Sequence, residues 1–221
     1  MTNQHLELVQ FDDSNPEARC PCILLLDTSG SMSGAAISEL NVGLETFQQE
    51  IQRDDLAATR VEVSIATFGN GAHMEQGFVS AHQFTAPRLK AGGNTPMGEA
   101  IHLALDQLRQ RKDVYKQHGI PYYRPWVFLI TDGAPTDEWR SAAQRIQKEE
   151  ADKAVAFFAV GVEKADMKVL AQICSRQPLR LKGLNFRDMF VWLSQSLTTV
   201  SHSLVGQQVP LSSPAGWSVI D

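Results

Sequence analysis

Three short, uninterrupted runs of apolar residues limit most strongly what this chain can fold into. They span residues 22–26, 126–130 and 154–160. Runs of this length without polar alternation are typical of strands buried on both faces of a parallel sheet. Between them, apolar residues recur at helical spacings, most clearly at Ile37, Leu40, Leu44, Phe47 and Ile51. The alternation predicts a Rossmann-like α/β fold in three layers, with a mostly parallel central sheet and helices on both faces.

Weaker signals predict the edge of the sheet and the starts of two helices. Residues 61–68 form a predicted strand, and the turn signal at residues 70–71 returns residues 72–81 as one antiparallel edge strand. Thr95, which precedes a proline, is expected to be the N-cap of a helix. Thr136 or Asp137 is expected to cap the next helix.

The length of 221 residues suits one domain with short extensions. Residues 1–19 are polar and weakly patterned, and we expect them to form an N-terminal extension. The domain itself is expected to span residues 20–204 and to include residues 112–125 as a long connection. Residues 205–221 contain one charged side chain, two prolines and two glycines, which predicts an extended or disordered C-terminal tail.

Charge and composition exclude several classes of partner. A net charge of −5 gives no basis for binding nucleic acid or an anionic membrane through bulk charge. Three cysteines do not make a disulfide framework. The N-terminus lacks a basic-then-apolar signal pattern, and the longest apolar run is far shorter than the ~20 residues that span a bilayer. These features predict a cytoplasmic protein.

Oxygen-bearing side chains follow the predicted strands and open one predicted helix. Asp27, Ser29 and Ser31 come at the end of the first buried run, Thr95 begins a helix, and Asp132 follows the run that ends at residue 130. Ligands bind at the carboxyl ends of strands in sheets of this kind. Two carboxylates and three hydroxyls, with no thiolate or imidazole, suit a hard cation: Mg²⁺ first, with Mn²⁺ or Ca²⁺ as alternatives.

The pattern Asp27-Thr-Ser29-Gly-Ser31, a distant Thr95 in a Gly-Gly-Asn-Thr-Pro stretch, and Thr-Asp132-Gly together resemble the von Willebrand factor A (VWA) domain. The match is to the metal ion-dependent adhesion site (MIDAS) of that family and extends over roughly residues 20–204. The residue sequence of these motifs is similar to that of bacterial stand-alone VWA proteins, the TerY/YegL-like group associated with tellurium-resistance and stress loci.

The resemblance implies a role for each residue. Ser29, Ser31 and Thr95 would offer hydroxyls to a divalent cation, while Asp27 and Asp132 would act directly or through water. One coordination position would remain for an Asp or Glu carboxylate of a partner protein. The chain is then expected to be a non-enzymatic interaction module in tellurite or chemical-stress response, with a kinase or phosphatase of the same locus as partner.

An enzymatic alternative starts from the same residues. A strand-end Asp27 before a small loop, together with Mg²⁺, is also similar to haloacid-dehalogenase-like phosphotransferases, in which that Asp is the nucleophile. Those enzymes carry a second Asp two residues later as general acid, whereas this chain has Ser29, a poor proton donor. The sequence therefore favours the binding module.

Overall fold

The computed structural model describes residues 14–219, and these form one sheet with helices on both faces. The sheet has seven strands in the order β3-β2-β1-β4-β5-β6-β7. Their bounds are β1 Cys20–Asp27, β2 Val61–Gly69, β3 Gly71–Ser80, β4 Trp126–Thr131, β5 Ala156–Gly161, β6 Leu179–Leu181 and β7 Ser218–Val219. The strands from β2 to β6 in this order are parallel, and β3 is antiparallel to β2. The predicted fold class is confirmed.

Within the described part of the chain, six α-helices cover the sheet: α1 Ala35–Ile51, α2 Asp55–Arg60, α3 Met97–Gln117, α4 Arg140–Ala151, α5 Met167–Ile173 and α6 Phe186–Ser201. Alternate residues of β1 face opposite layers, as the period of a strand requires. Leu24 and Leu26 pack with α1 and α6, whereas Ile23 and Leu25 pack with α3, α4 and α5. The central strand is therefore buried on both faces, which explains its uninterrupted apolar run.

The order of the strands brings the ends of β1 and β4 together. From β1 the chain passes to β2 on one side, and β4 pairs with β1 on the other side. This reversal is the topological switch point, where parallel α/β sheets open a crevice at the carboxyl ends of their strands. Asp27 ends β1 and Asp132 follows β4, so both carboxylates lie beside this crevice.

Two local predictions were wrong. Residues 112–117 belong to α3 rather than to a connection, because the buried Tyr115 donates a hydrogen bond to Glu62 and holds the end of the helix against β2. Helix α4 begins at Arg140 and is preceded by Trp139, so neither Thr136 nor Asp137 caps it.

The two ends of the chain differ in how much of them the structure describes. Within the predicted N-terminal extension, residues 1–13 lie outside the described residues. In the predicted tail, residues 214–216 form a short 3₁₀ turn and β7 pairs antiparallel with β6. This order has a physical cause, since Trp217 is buried with its ring 5.4 Å from that of Trp192. The disordered alternative therefore fails for residues 214–219, whereas the extended backbone of β7 agrees with the other alternative, and the domain boundaries remain predictions.

Candidate metal centre

Asp27 lies at the buried bottom of the candidate site. The chain turns directly after β1, so that the N–H of Ser29 donates to Oδ1 of Asp27 at 2.8 Å. The hydroxyl of Thr131, the last residue of β4, donates to Oδ2 at 2.5 Å. Both carboxylate oxygens are thus oriented by neighbours from the two strands that meet at the switch point.

Ser31 links the loop that follows β1 to the loop that follows β4. Its Oγ lies 3.0 Å from Oγ of Ser29 and donates to Oδ1 of Asp132 at 2.6 Å. Ser29 and Ser31 project together because residues 30–32 form a 3₁₀ turn directly after the strand. Hydrogen bonds therefore link four of the five predicted ligands, Asp27, Ser29, Ser31 and Asp132, into one chain.

Thr95 approaches the same set from the start of α3. A methyl group built on Gly133 would lie 3.5 Å from Oγ1 of Thr95 and 3.9 Å from Oγ of Ser31. The two hydroxyls thus flank one small space beside Gly133, and the structure brings together all five residues that the sequence predicts. Thr95 does not cap α3 as expected, since the cap position is Pro96 and no side chain of that residue contributes.

A pair of residues after β4 holds the Thr95 loop instead. Oγ1 of Thr136 accepts a hydrogen bond from the N–H of Thr95 at 3.1 Å, and the Thr136 N–H donates to the Thr95 carbonyl at 2.9 Å. The Asp137 carboxylate accepts from the N–H groups of Gly98 and Glu99 at 3.0 and 2.8 Å. Thr136 and Asp137, here called the α3 clamp, thereby tie the loop of Asp132 to that of Thr95.

Glycines allow the loop that precedes α3 and carries Thr95 to lie close to the loop that follows β1. The N–H of Gly30 donates to the carbonyl of Gly93 at 3.0 Å, and that of Gly92 donates to the carbonyl of Thr28 at 2.7 Å. Gly93 has a φ of +80°, and a Cβ there would lie 2.2 Å from Oδ1 of Asn70. A side chain at this position would clash with Asn70 and with the carbonyl of Gly69, and so push the Thr95 loop away from the turn between β2 and β3.

The electrostatics suit a site that gains from a cation. Burial raises the pKa of Asp27; hydrogen bonds from Ser29 and Thr131 oppose this rise, and the nearby Asp132 charge adds to it. Asp27, Ser29 and Asp132 are buried, whereas Ser31 is exposed, so the set opens to solvent at Ser31. Two close carboxylates with hydroxyl neighbours are chemically suited to a hard divalent cation, which would offset their charge.

Among residues 14–219, no group of three or more His, Cys, Asp or Glu side chains is placed to hold a metal ion. The candidate ligand set therefore depends on hydroxyls as well as carboxylates.

Sequence reasoning missed Thr131 and the α3 clamp. Thr131 stands at the end of a buried run and directly before Asp132, so its position was the available signal. Thr136 and Asp137 offered no such signal, because their partners lie about forty residues earlier in the chain.

Comparison with known proteins agrees with this architecture. The sequence model described as von Willebrand factor type A domain matches residues 22–189. Among similar solved structures is the pilus adhesin SpaC from Lactobacillus rhamnosus GG in its open conformation (TM-score 0.67, 14% identity), covering 84% of this chain and 31% of that one. Another is von Willebrand factor type A from Catenulispora acidiphila (TM-score 0.62, 15% identity), covering 82% and 43%.

A third similar structure is proximal thread matrix protein 1 from the mussel byssus, with a zinc-occupied MIDAS motif. Its TM-score is 0.57 at 14% identity, covering 82% of this chain and 48% of that one. This chain thus spans less than half the length of the three proteins, and the likeness at such identities is one of fold. No helix within residues 14–219 is long and apolar enough to cross a membrane.

Proposed function

This chain belongs to the von Willebrand factor type A domain family, and we propose that it is a non-enzymatic module that binds a partner protein through a divalent cation. Asp27, Ser29, Ser31, Thr95 and Asp132 would hold the cation. An Asp or Glu carboxylate of the partner would complete its coordination. Domains of this family are typically interaction or adhesion modules, which supports the general class of function.

The observation that carries this proposal is the position of the Ser31 hydroxyl. It bridges Ser29 and Asp132 at hydrogen-bond distances while the residue remains exposed. Side-chain oxygen atoms from two separate loops therefore lie at hydrogen-bond distance at a point that a partner can reach, which supports their proposed role as ligands. A buried structural site would instead enclose its donors on all sides.

The charge balance explains why an acidic partner would bind. Two carboxylates neutralise a divalent ion, so the hydroxyl ligands add no negative charge to repel an incoming carboxylate. Mg²⁺ keeps exchangeable water ligands and is rarely enclosed by protein alone, which supports it as the ion in the cell. In this chain, Asp27 and Asp132 would supply charge, and the three hydroxyls would orient the ion toward solvent.

We further propose that the protein acts in bacterial tellurite or chemical-stress response, with a kinase or phosphatase of the same locus as its partner. The support is the residue sequence of the three motifs, which is similar to that of the TerY/YegL-like group. Three free cysteines, all buried, are in keeping with the cytoplasm as its compartment.

The phosphotransferase alternative has no support. The matched family is the VWA family, and both carboxylate oxygens of Asp27 accept hydrogen bonds from Ser29 and Thr131. At the position where those enzymes carry a general acid stands Ser29, whose Oγ lies beside Ser31.

A capture experiment tests the proposed function. Immobilised wild-type protein is expected to retain partners from native lysate in Mg²⁺ and to lose them in EDTA. Asp132→Ala should lose the same partners, whereas Asp152→Ala, an exposed acid beyond the end of α4, should keep them.

The carboxylate of the partner is tested separately. Blocking carboxyl groups of the captured protein with carbodiimide and glycinamide should prevent its rebinding in Mg²⁺. Capture that persists in EDTA and in Asp132→Ala would refute a metal-mediated interaction.

A further inference from the structure

A second concave site lies at the end of the sheet opposite the candidate metal centre. It is a groove of about 880 Å³ that includes Trp126 and Ala156, the first residues of β4 and β5. Residues 205–209 and Leu211, which follow α6, also line it. The volume lies within the range of about 300–1,000 Å³ that small-molecule sites usually have. The proposed metal-dependent function does not use this groove.

Aromatic side chains line part of the groove. The rings of Trp126 and Phe158 lie 4.8 Å apart, and both belong to the groove lining. Tyr122 and Tyr123 lie beside them in the connection before β4. Trp126 and Tyr123 are buried beneath this lining, whereas Tyr122 and Phe158 are partly exposed. The Cζ of Arg176 lies 5.1 Å from the centroid of the Phe158 ring, so the groove offers a guanidinium plane beside an aromatic ring.

Cationic side chains outnumber acidic ones around this aromatic surface. The five cations of the lining are Lys112, Lys116, Arg124, Lys153 and Arg176. Among the lining residues that belong to the described range 14–219, Asp152 is the one acid. This excess of positive charge contrasts with the net charge of −5 for the whole chain.

Carboxylates behind the lining neutralise these cations only in part. Glu150 is shared by Arg176, with which it forms a close ion pair, and Arg124, whose Nη2 is 4.0 Å away. The same carboxylate also accepts hydrogen bonds from backbone N–H groups of residues 157 and 175. One negative charge therefore serves two guanidinium groups.

The lysine side of the groove is also weakly paired. Nζ of Lys112 lies 4.0 Å from Glu149, a carboxylate that is closer to Arg145 at 3.3 Å. Lys116 pairs with Asp113 at 3.5 Å, and both of these side chains are largely exposed. Lys153 is exposed in the turn before β5.

The directions of the pKa shifts of two of these cations agree with a positive charge that the neighbouring carboxylates offset only in part. Burial lowers the pKa of Arg124, and the charge of Arg176 lowers it further. Burial likewise lowers the pKa of Lys112, with Lys116 acting in the same direction against the opposing charge of Glu149. An anion in the groove would stabilise the charged form of both groups.

We propose that this basic-aromatic groove binds a small anion with a flat aromatic body, the chemical class of aryl phosphates and nucleotides. The aromatic body lies against Phe158 and the guanidinium plane of Arg176, and the anionic group is held by the surrounding lysines and Arg124. Binding at this groove is independent of the divalent cation, because the candidate metal centre lies at the other end of the strands.

Calorimetric titration with 1-naphthyl phosphate in EDTA tests this proposal. The probe is expected to bind once per chain, whereas neutral 1-naphthol and inorganic phosphate, each carrying half of its chemistry, should bind at least about tenfold more weakly. The double variant Lys116→Glu with Lys153→Glu should weaken binding at least about fivefold, because it reverses charge at two exposed positions of the lining. Ala154→Trp, which fills the groove from its lining, should abolish binding while circular dichroism confirms the fold.

The matched control is Lys164→Glu, an exposed lysine beyond the other end of β5. It should bind the probe as wild type does. Asp132→Ala should also bind the probe as wild type does, because its loss of metal binding concerns the other site. The proposal is overturned if the wild type binds no probe, if inorganic phosphate binds as tightly, or if the lysine variants and Ala154→Trp leave the affinity unchanged.

Discussion

Thr131 shows how a single hydroxyl can organise the candidate metal centre. It donates to Oδ2 of Asp27 at 2.5 Å and accepts from the N–H of Gly133 at 3.2 Å. Through these bonds it connects the buried carboxylate of one loop to the backbone of the other. The five candidate ligands were predicted from residue types at strand and helix ends. Thr131 also ends a strand, but the sequence does not show that its hydroxyl donates to Asp27.

Replacing Thr131 by Val should destabilise the protein by about 1–3 kcal/mol, because a buried carboxylate loses a donor while the shape of the side chain is kept. Chemical denaturation without divalent cation measures this change. Thr131→Ser retains the hydroxyl and should recover most of the stability. Equal stability of Thr131→Val and wild type would show that this hydrogen bond does not support the site.

At the scale of elements, the α3 clamp explains why the site spans three loops. Helix α3 is capped by Asp137 from a later loop, and the close approach leaves no room for a side chain at Gly98, whose Cβ would lie 2.3 Å from the carbonyl of Glu138. The sequence predicted the existence of α3 and α4 from their apolar stripes. It assigned the cap to the wrong helix, because local patterns favour the nearest helix and give no account of contacts between loops.

Asp137→Ala should therefore affect both stability and the site. Loss of a capping carboxylate costs about 0.5–2 kcal/mol, and release of the Thr95 loop should weaken Mg²⁺ binding as well. Glu138→Ala is the matched control, since Glu138 accepts from Arg140 and Ser141 at the start of α4. Urea denaturation and calorimetry on both variants separate the two effects. If Glu138→Ala weakens Mg²⁺ binding as much as Asp137→Ala, the clamp has no specific role.

At the scale of the whole molecule, a buried ionic network joins the N-terminal segment, β2 and α3. Glu62 forms two hydrogen bonds with Arg111 at 2.7 and 2.8 Å and an ion pair with Arg19 at 3.2 Å. Arg19 and Glu62 are 1% and 3% exposed. The alternation of buried runs and helical stripes predicted the layers of the fold, whereas this network could not be predicted, because its members are distant in sequence and lie outside any apolar pattern.

Glu62→Gln should lower stability by about 1.5–3 kcal/mol, because it removes the buried negative charge that pairs with Arg19 and Arg111. Thermal or urea unfolding measures the loss. Glu75→Gln, at an exposed position of β3, should change stability by less than about 0.5 kcal/mol. A similar small effect for both variants would mean that the network contributes little to the fold.

The proposed function depends most directly on one cation bound at the carboxyl ends of β1 and β4. Isothermal titration with MgCl₂ into chelator-treated protein is the measurement that tests it, with Asp132→Ala and Asp152→Ala titrated in parallel. We expect one ion per chain for the wild type and for Asp152→Ala, and no detectable binding for Asp132→Ala. Binding by Asp132→Ala with wild-type affinity and stoichiometry would contradict the assignment of this site.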